Sequence, residues 1–149
     1  YNEYILENVG REGHTYYKYI YDNYYNLDAY TIFLQGNPFD HSPNIIQNIN
    51  DLINKKDLCL EFEFLSEKIL TCNLENGHGP MKSVYNKLFG EYSGDETFIF
   101  GAGAQFIVNK KNILKNNRDF YLKIIELLQN SSHPNEGFVI ERYHKYILN

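Results

Sequence analysis

Residues 30–38, YTIFLQGNP, indicate the fold class of this chain. Residues 30–34 form an uninterrupted run of aromatic, β-branched and other apolar side chains, which the polar sequence QGNP ends abruptly. A run of this kind between helical segments is typical of a strand that is buried in a parallel sheet. Ligands of such sheets collect beyond the carboxyl ends of the strands. The loop that begins at Gln35 is therefore the first place to look for chemistry.

The pattern around this strand predicts alternating helices and strands. Apolar residues at helical spacing predict helices at 14–25, with Thr15 as N-cap, and at 42–53, 82–89, 118–129 and 138–148. Residues 58–65 alternate as a strand with Glu61 and Glu63 facing solvent, and further strands are predicted at 98–100 and 105–108. This order predicts one α/β domain over residues 1–149, with a mostly parallel sheet flanked by helices.

Composition sets limits on the function. The 149 residues carry a formal charge of −5, with 43% apolar and 22% charged side chains, which is typical of a globular domain. The sequence has no apolar run near the roughly 20 residues of a membrane span. Its basic cluster, Lys110, Lys111 and Lys115, is a poor footprint for nucleic acid.

The first residue of the chain bears on whether the chain is a fragment, and its cysteines bear on its cellular compartment. The only methionine is Met81 and the chain starts at Tyr1, so we expect a fragment, or alternatively a processed mature chain. Cys59 and Cys72 lack the spacing of a disulfide scaffold or a CxxC site. Free buried thiols in a reducing, cytoplasmic compartment are the expectation, and a disulfide bridge is the alternative.

Two polar loops are candidate sites. In the loop after the strand, Asp40 and His41 offer a carboxylate and an imidazole that suit Mn²⁺ or a similar cation. The alternative is that Asp40 and Ser42 cap the next helix while His41 is solvated. Residues 8–14, NVGREGH, precede a helix N-terminus that attracts anions, with Arg11 as a partner for phosphate. There the alternative is a structural ion pair of Arg11 with Glu12 or Asp40.

Two further motifs are weaker. Residues 101–104, GAGA, permit close approach of the backbone, although a tight bend in the sheet is the better explanation for them. Glu141 and His144 share one face of the last predicted helix. A di-iron site would need a second such pair on another helix. Residues 75–78 have that spacing but lie in a glycine-rich loop, so we reject di-iron.

The same motifs carry a family resemblance that covers most of residues 8–148. The segments NVGREGHTY at 8–16 and TIFLQGNPFDH at 31–41 resemble the signature of the family called domain of unknown function 3431. Its later blocks resemble FGAGAQFIV at 100–108 and IER at 140–142. The layout of that family is similar to GT-A-type, Rossmann-like glycosyltransferases, which use nucleotide-sugar donors.

The resemblance implies roles for individual residues. It implies a donor and phosphate site at Asn8, Gly10, Arg11, Glu12, His14, Gln35 and Gly36. It implies an acceptor site at Gly103, Gln105, Arg142 and His144. It also implies catalysis by Asp40 and Glu141, and Mn²⁺ or Mg²⁺ binding by Asp40 and His41.

This chain departs from the GT-A pattern in two ways. The Asp-x-Asp motif of such enzymes is missing from the expected place, so the metal site depends on Asp40 and His41. A first strand-helix-strand unit of about 30–50 residues would also belong before Tyr1. We therefore expect a GT-A-like domain that lacks this unit.

Three functions are open as hypotheses. The first is transfer of a sugar from a nucleotide-sugar donor to a hydroxyl of a glycan acceptor. The second is a non-catalytic module that binds carbohydrate or a protein partner. The third is metal-dependent hydrolysis of a phosphoester, which needs at least three of Asp40, His41, His14 and His78 to converge on one metal ion.

Overall fold

The computed structural model describes residues 5–55, 59–92 and 94–149. It contains six helices among these residues: α1 (Arg11–Asn23), α2 (Ile45–Ile53), α3 (Met81–Phe89), α4 (Lys110–Ile113), α5 (Arg118–Leu128) and α6 (Asn135–Leu148). The strands there are β1 (Tyr30–Phe33), β2 (Phe62–Phe64), β3 (Ile69–Cys72), β4 (Phe98–Gly101) and β5 (Phe106–Asn109). A short 3₁₀ turn, Pro38–Asp40, follows β1.

The prediction of a mostly parallel, GT-A-like or Rossmann-like sheet is wrong. The strands form two small antiparallel sheets, one in the order β1-β5-β2 and the other of β3 with β4. Both β1 and β2 run antiparallel to β5, with Phe33 opposite Phe106 and Phe62 opposite Val108. They are therefore parallel to each other, and α2 connects them. The strand-helix-strand pattern of the sequence is present, but β5 lies between its two strands.

Helices cover both faces of the three-stranded sheet. Phe106 and Val108 of β5 face the main core, which α1, α3, α5 and α6 enclose. Ile107, between them, faces a smaller cluster with Ile45 and Leu52 of α2. This alternation places opposite sides of β5 in separate cores. The sheet therefore lies in the middle of a three-layer arrangement.

Several element boundaries differ from the predictions. Helix α1 begins at Arg11 rather than near Thr15; Gly10 at its N-cap and Arg11 both have a positive φ, 67° and 56°. Helices α3, α5 and α6 occupy the predicted regions. Strand β3 and the short helix α4 have no counterpart in the predictions. The predicted strand over 58–65 is reduced to β2, and Leu58 lies outside the described residues.

For four side chains the sequence predicted whether they are exposed or buried, and the structure agrees for all but one of them. Glu61 and Glu63 are exposed, as predicted. Both cysteines are free; Cys72 is buried as predicted, whereas Cys59 is exposed. In the part of the chain that the structure describes, no helix is long and apolar enough to cross a bilayer.

Candidate functional site

An open cleft of about 490 Å³ lies where the start of α1 meets the end of β1 and the loop between α5 and α6. Its walls come from segments that are distant in sequence. The lining residues are Asn8, Arg11, Glu12, Thr15, Tyr16, Leu34, Gln35, Gly36, Ser132 and His133. The structure thus brings together five residues of the predicted donor site: Asn8, Arg11, Glu12, Gln35 and Gly36.

The backbone around Gly10 sets the position of α1 at this cleft. The N–H of Gly10 donates to the carbonyl of Ser131 at 2.8 Å, which joins the start of α1 to the α5–α6 loop. A Cβ at Gly10 would lie 2.4 Å from Cβ of His14 and 2.8 Å from Cβ of Leu128. The tight contact and the positive φ both require glycine here. Gly10 therefore does not line the cleft, but its backbone conformation sets the position of α1, which does.

Arg11 lies at the edge of the cleft and is fixed by two contacts. Its guanidinium carbon lies 4.2 Å from the centre of the Phe138 ring, a cation–π distance. Its Nε lies 3.6 Å from a carboxylate oxygen of Glu12, and both side chains are about 30% exposed. The predicted structural ion pair of Arg11 with Glu12 is therefore present. The remaining guanidinium N–H groups still offer donors for a ligand oxygen.

The opposite wall of the cleft is the turn after β1. Gln35 donates from Nε2 to the carbonyl of Asn37 at 2.7 Å, and this bond holds its amide in place. Gly36 faces open space, since no described atom lies within 4 Å of the position that its Cβ would take. A ligand can therefore approach the backbone of this turn closely.

Glu141 lies on α6 next to the cleft and is partly buried. Its Oε1 accepts a 3.0 Å hydrogen bond from the N–H of Gly103, and Nη1 of Arg142 lies 3.9 Å from Oε2. Burial raises the pKa of the Glu141 carboxyl, and Glu12 raises it further, against the opposing effects of Gly103, Arg142 and Arg11. A carboxylate with a raised pKa is a stronger base than an exposed one.

Asp40 and His41 are exposed on the turn that follows β1, outside the cleft lining. The His41 ring packs against Gly103, where an added Cβ would lie 2.5 Å from Cδ2 of His41. The structure thus places His41, Gly103 and Glu141 in one continuous row of contacts.

Gln105 fixes the turn that follows β1 through hydrogen bonds from its side chain. Its side chain is fully buried, and Nε2 donates to the carbonyl of Pro38 and to Oγ of Ser42, both at 3.1 Å. Ser42 in turn donates to the carbonyl of Leu65 at 2.6 Å. Gln105 therefore holds the loop in place, and its side chain is not accessible to an acceptor.

The two other predicted acceptor residues also have partners within the protein. The guanidinium of Arg142 lies 4.8 Å from the centre of the Phe100 ring and donates to the carbonyl of Phe138. His144 is buried in the core, where its Nδ1 lies 2.9 Å from the hydroxyl of Tyr17. Burial lowers the pKa of His144 to about 3, so this ring is neutral at physiological pH.

His14 and His78, the two other histidines of the hydrolase hypothesis, have different neighbours. His14, predicted for the donor site, is buried on α1 and its pKa is lowered by burial and by Lys18. His78 packs edge-on against Phe138 at 5.5 Å. Across residues 5–55, 59–92 and 94–149, no group of three or more His, Cys, Asp or Glu side chains could hold a metal ion. The convergence required by the hydrolase hypothesis is therefore not found among them.

Half of the cleft lining has no counterpart in the sequence-based predictions of site residues. These residues are Thr15, Tyr16, Leu34, Ser132 and His133. The polar stretch at 130–133, NSSH, separates two helices, and this pattern is a signal for a loop. Its position beside Asn8 depends on tertiary contacts, among them the hydrogen bond from Gly10 to Ser131.

Comparisons of the chain with protein-family models, with curated proteins and with solved structures returned no match. The resemblance to domain of unknown function 3431 therefore stays a prediction.

Proposed function

We propose that this domain binds a nucleotide sugar in the cleft and transfers the sugar to a hydroxyl of a glycan acceptor. The observation that carries the proposal is the convergence of residues 8–12 and 35–36 on one cleft. The family resemblance implies that these two segments share a donor, although the sequence contains no information on the distance between them. Their meeting in the folded chain supports a common ligand.

The chemistry of the lining fits a sugar diphosphate. Arg11 offers guanidinium donors for phosphate oxygens at the N-terminal end of α1. Asn8, Thr15, Gln35 and Ser132 supply amides and hydroxyls, which suit the many hydroxyl groups of a sugar. A volume of about 490 Å³ is within the usual range of small-molecule sites.

We assign Glu141 as the base of the transfer step. It does not itself line the cleft, but it lies close enough to Arg11 and Glu12 of the lining for both to affect its pKa. Its carboxylate is oriented by Gly103, and its raised pKa strengthens it as a proton acceptor. It would remove the proton of the acceptor hydroxyl while that oxygen attacks the anomeric carbon. The bond from the anomeric carbon to the diphosphate breaks, and the nucleoside diphosphate leaves with that electron pair.

A role for a divalent cation is a separate prediction. Asp40 and His41 supply ligand types that suit Mn²⁺, but within the described residues no third such side chain joins them. The residues present do not form a complete protein site for a metal ion. We therefore derive no step of the transfer from a metal ion.

The proposal is tested with the whole chain and a panel of nucleoside diphosphate sugars, in Mn²⁺ and in EDTA. Calorimetry measures binding, and release of nucleoside diphosphate in the presence of oligosaccharides measures transfer. We expect binding of at least one donor, followed by release of its nucleotide. If no donor binds under either condition, the proposal is wrong.

The same experiment separates the transferase from a non-catalytic carbohydrate-binding module. The exposed, open form of the cleft favours this second candidate, because an oligosaccharide chain could lie across it. A module of this kind would bind glycans without nucleotide or metal, and it would release no nucleoside diphosphate from any donor.

A further inference from the structure

A second open cavity, of about 590 Å³, lies at the start of β1 and shares no lining residue with the cleft described above. Its walls come from the start of β1, from the residues just before β2, and from the end of β5 together with α4. The volume is within the usual range of small-molecule sites. This cavity is therefore large enough to hold a ligand of its own.

Much of the cavity lining is apolar. Tyr30 and Leu60 pack against the smaller core around Ile107, but neither side chain is fully buried. Leu114, which follows α4, is 40% exposed. All three line the cavity. A ligand with an apolar surface would cover them and remove their apolar area from water, which favours binding.

Hydrogen bonds within the protein hold the walls of this cavity together. The side-chain amide of Asn109 donates to the carbonyl of Leu60 at 2.8 Å, and its oxygen accepts from the N–H of Asn112 at 2.8 Å. The N–H of Lys110 donates to the carbonyl of Ala29 at 2.9 Å. These bonds join the three walls, so the cavity has its shape before a ligand binds, and binding does not have to order it.

Three charged residues also line the cavity: Lys110, Lys111 and Glu61. Lys110 is half-buried and Lys111 is exposed, and in the described part of the chain neither lysine forms an ion pair. A lysine side chain is long and flexible, so its ammonium can reach a ligand in a cavity that its own residue lines. Two lysines against one glutamate leave the lining with a net positive charge, although the chain as a whole has a charge of −5.

We propose that this cavity binds a small aliphatic carboxylate. The chain of the ligand lies against Tyr30, Leu60 and Leu114. Its carboxylate accepts hydrogen bonds from the ammonium groups of Lys110 and Lys111. A carboxylate carries a single negative charge, which matches the net charge of the lining better than a phosphate monoester with nearly twice that charge. The inference is independent of the proposed function, because the two sites have no lining residue in common.

Calorimetry with the whole chain tests the ligand class. Decanoate, decanol and decylammonium share one aliphatic chain and differ in the charge of the head group. We expect decanoate to bind, and decanol to bind about tenfold more weakly because it lacks the charge. Decylammonium should bind most weakly, since the lysines repel it. Added salt should weaken the binding of decanoate but not that of decanol.

The double variant Lys110→Gln with Lys111→Gln tests the role of the lysines. Its affinity for decanoate should fall about tenfold, whereas its affinity for decanol should not change. The matched control is Lys87→Gln with Lys123→Gln, which changes the net charge equally. Both control lysines are exposed and line a different cavity, of about 360 Å³. The control should bind decanoate as the wild type does, and both double variants should keep the wild-type melting temperature.

Cys59 reports where the ligand binds, because it lines the cavity and is exposed as a free thiol. Iodoacetamide alkylates exposed thiols, and mass spectrometry of peptides measures the reaction at each cysteine separately. Saturating decanoate should slow the alkylation of Cys59. Cys72, which is buried, is the internal control, and its rate should not change.

Each of four results would overturn the inference. These are no binding of decanoate, equal affinities for decanoate and decanol, an equal loss of affinity in the two double variants, and binding of decanoate that leaves the alkylation of Cys59 unchanged. The last result would show that the carboxylate binds elsewhere on the protein.

Discussion

The N–H of Gly103 donates a 3.0 Å hydrogen bond to Oε1 of Glu141, which joins the turn between β4 and β5 to the middle of α6. The His41 ring packs closely against Gly103. Three segments that are far apart in sequence therefore fix the position of the proposed base.

Glu141→Gln should lower the rate of sugar transfer by about a hundredfold or more, since the amide cannot accept the proton of the acceptor. Donor affinity should change little, because Glu141 does not line the cleft. The amide oxygen can still accept from Gly103, so the fold should be retained. Initial rates of nucleotide release provide the measurement, with Glu63→Gln on the exposed face of β2 as control. A variant that keeps its full rate would exclude Glu141 as the base.

Arg11→Ala should weaken donor binding by about tenfold or more, because a charged hydrogen bond to phosphate is lost. The control is Arg118→Ala, away from the cleft, which loses a cation–π contact with Tyr21 at 3.8 Å and the hydrogen bond from its Nε to the carbonyl of Tyr21. Each variant should lose roughly 0.5–1 kcal/mol of stability from that contact. Only Arg11→Ala should lose affinity for UDP and GDP in calorimetry. Equal losses in both variants would argue against a phosphate role for Arg11.

Gly103→Ala should destabilise the protein by about 1–3 kcal/mol. Gly103 has φ 83°, and the new Cβ would lie 2.5 Å from the His41 ring. Gly94→Ala is the control, since no described atom lies within 4 Å of that added Cβ. Urea unfolding measures both variants. A Gly103→Ala protein as stable as Gly94→Ala would show that the contact with His41 is loosely held.

His144 should make the fold sensitive to acid. Its pKa is about 3 in the folded chain against an ordinary value of 6.5, so the unfolded state takes up a proton first as pH falls. The stability that depends on neutral His144 is complete above about pH 6.5. Below that pH it should decline by roughly 1.4 kcal/mol per pH unit until about pH 3.

The double variant Tyr17→Phe with His144→Phe removes this titration together with both hydrogen-bond partners. Its free energy of unfolding should vary less steeply with pH than that of the wild type between about pH 6.5 and about pH 3. The control is His133→Gln, in the exposed α5–α6 loop, which should leave the slope unchanged. Equal slopes for the double variant and the wild type would contradict the assignment to His144.

Local patterns locate most helices and several strands of this fold. The apolar spacing of α5 and α6 is sufficient to place both, because each buries one face along its length. The start of α1 lies four residues before the predicted N-cap, because residues 11–14, REGH, carry no apolar periodicity. Strand β3 has no counterpart in the predictions, because its four residues, ILTC at 69–72, show no alternation of apolar and polar side chains.

The candidate site is predictable in its segments but not in its arrangement. Asn8, Arg11 and Gln35 are predicted members of one site, and they do line one cleft. His144 and Gln105 are also predicted site residues, although packing buries both. A polar residue type has the same appearance in a sequence whether it is a ligand or a buried structural partner.

The sequence by itself determined which residues form most of the helices and strands, and where the two polar loops that face the cleft lie. These features depend on residues that are neighbours along the chain. Only the tertiary structure decided that β5 lies between β1 and β2, which makes the sheet antiparallel. Only the tertiary structure placed Ser132 and His133 beside Asn8, and left the Tyr16 hydroxyl unpaired among the described residues. Strand pairing and helix packing join residues far apart in sequence, and local periodicity does not indicate which strands pair or which helices pack together.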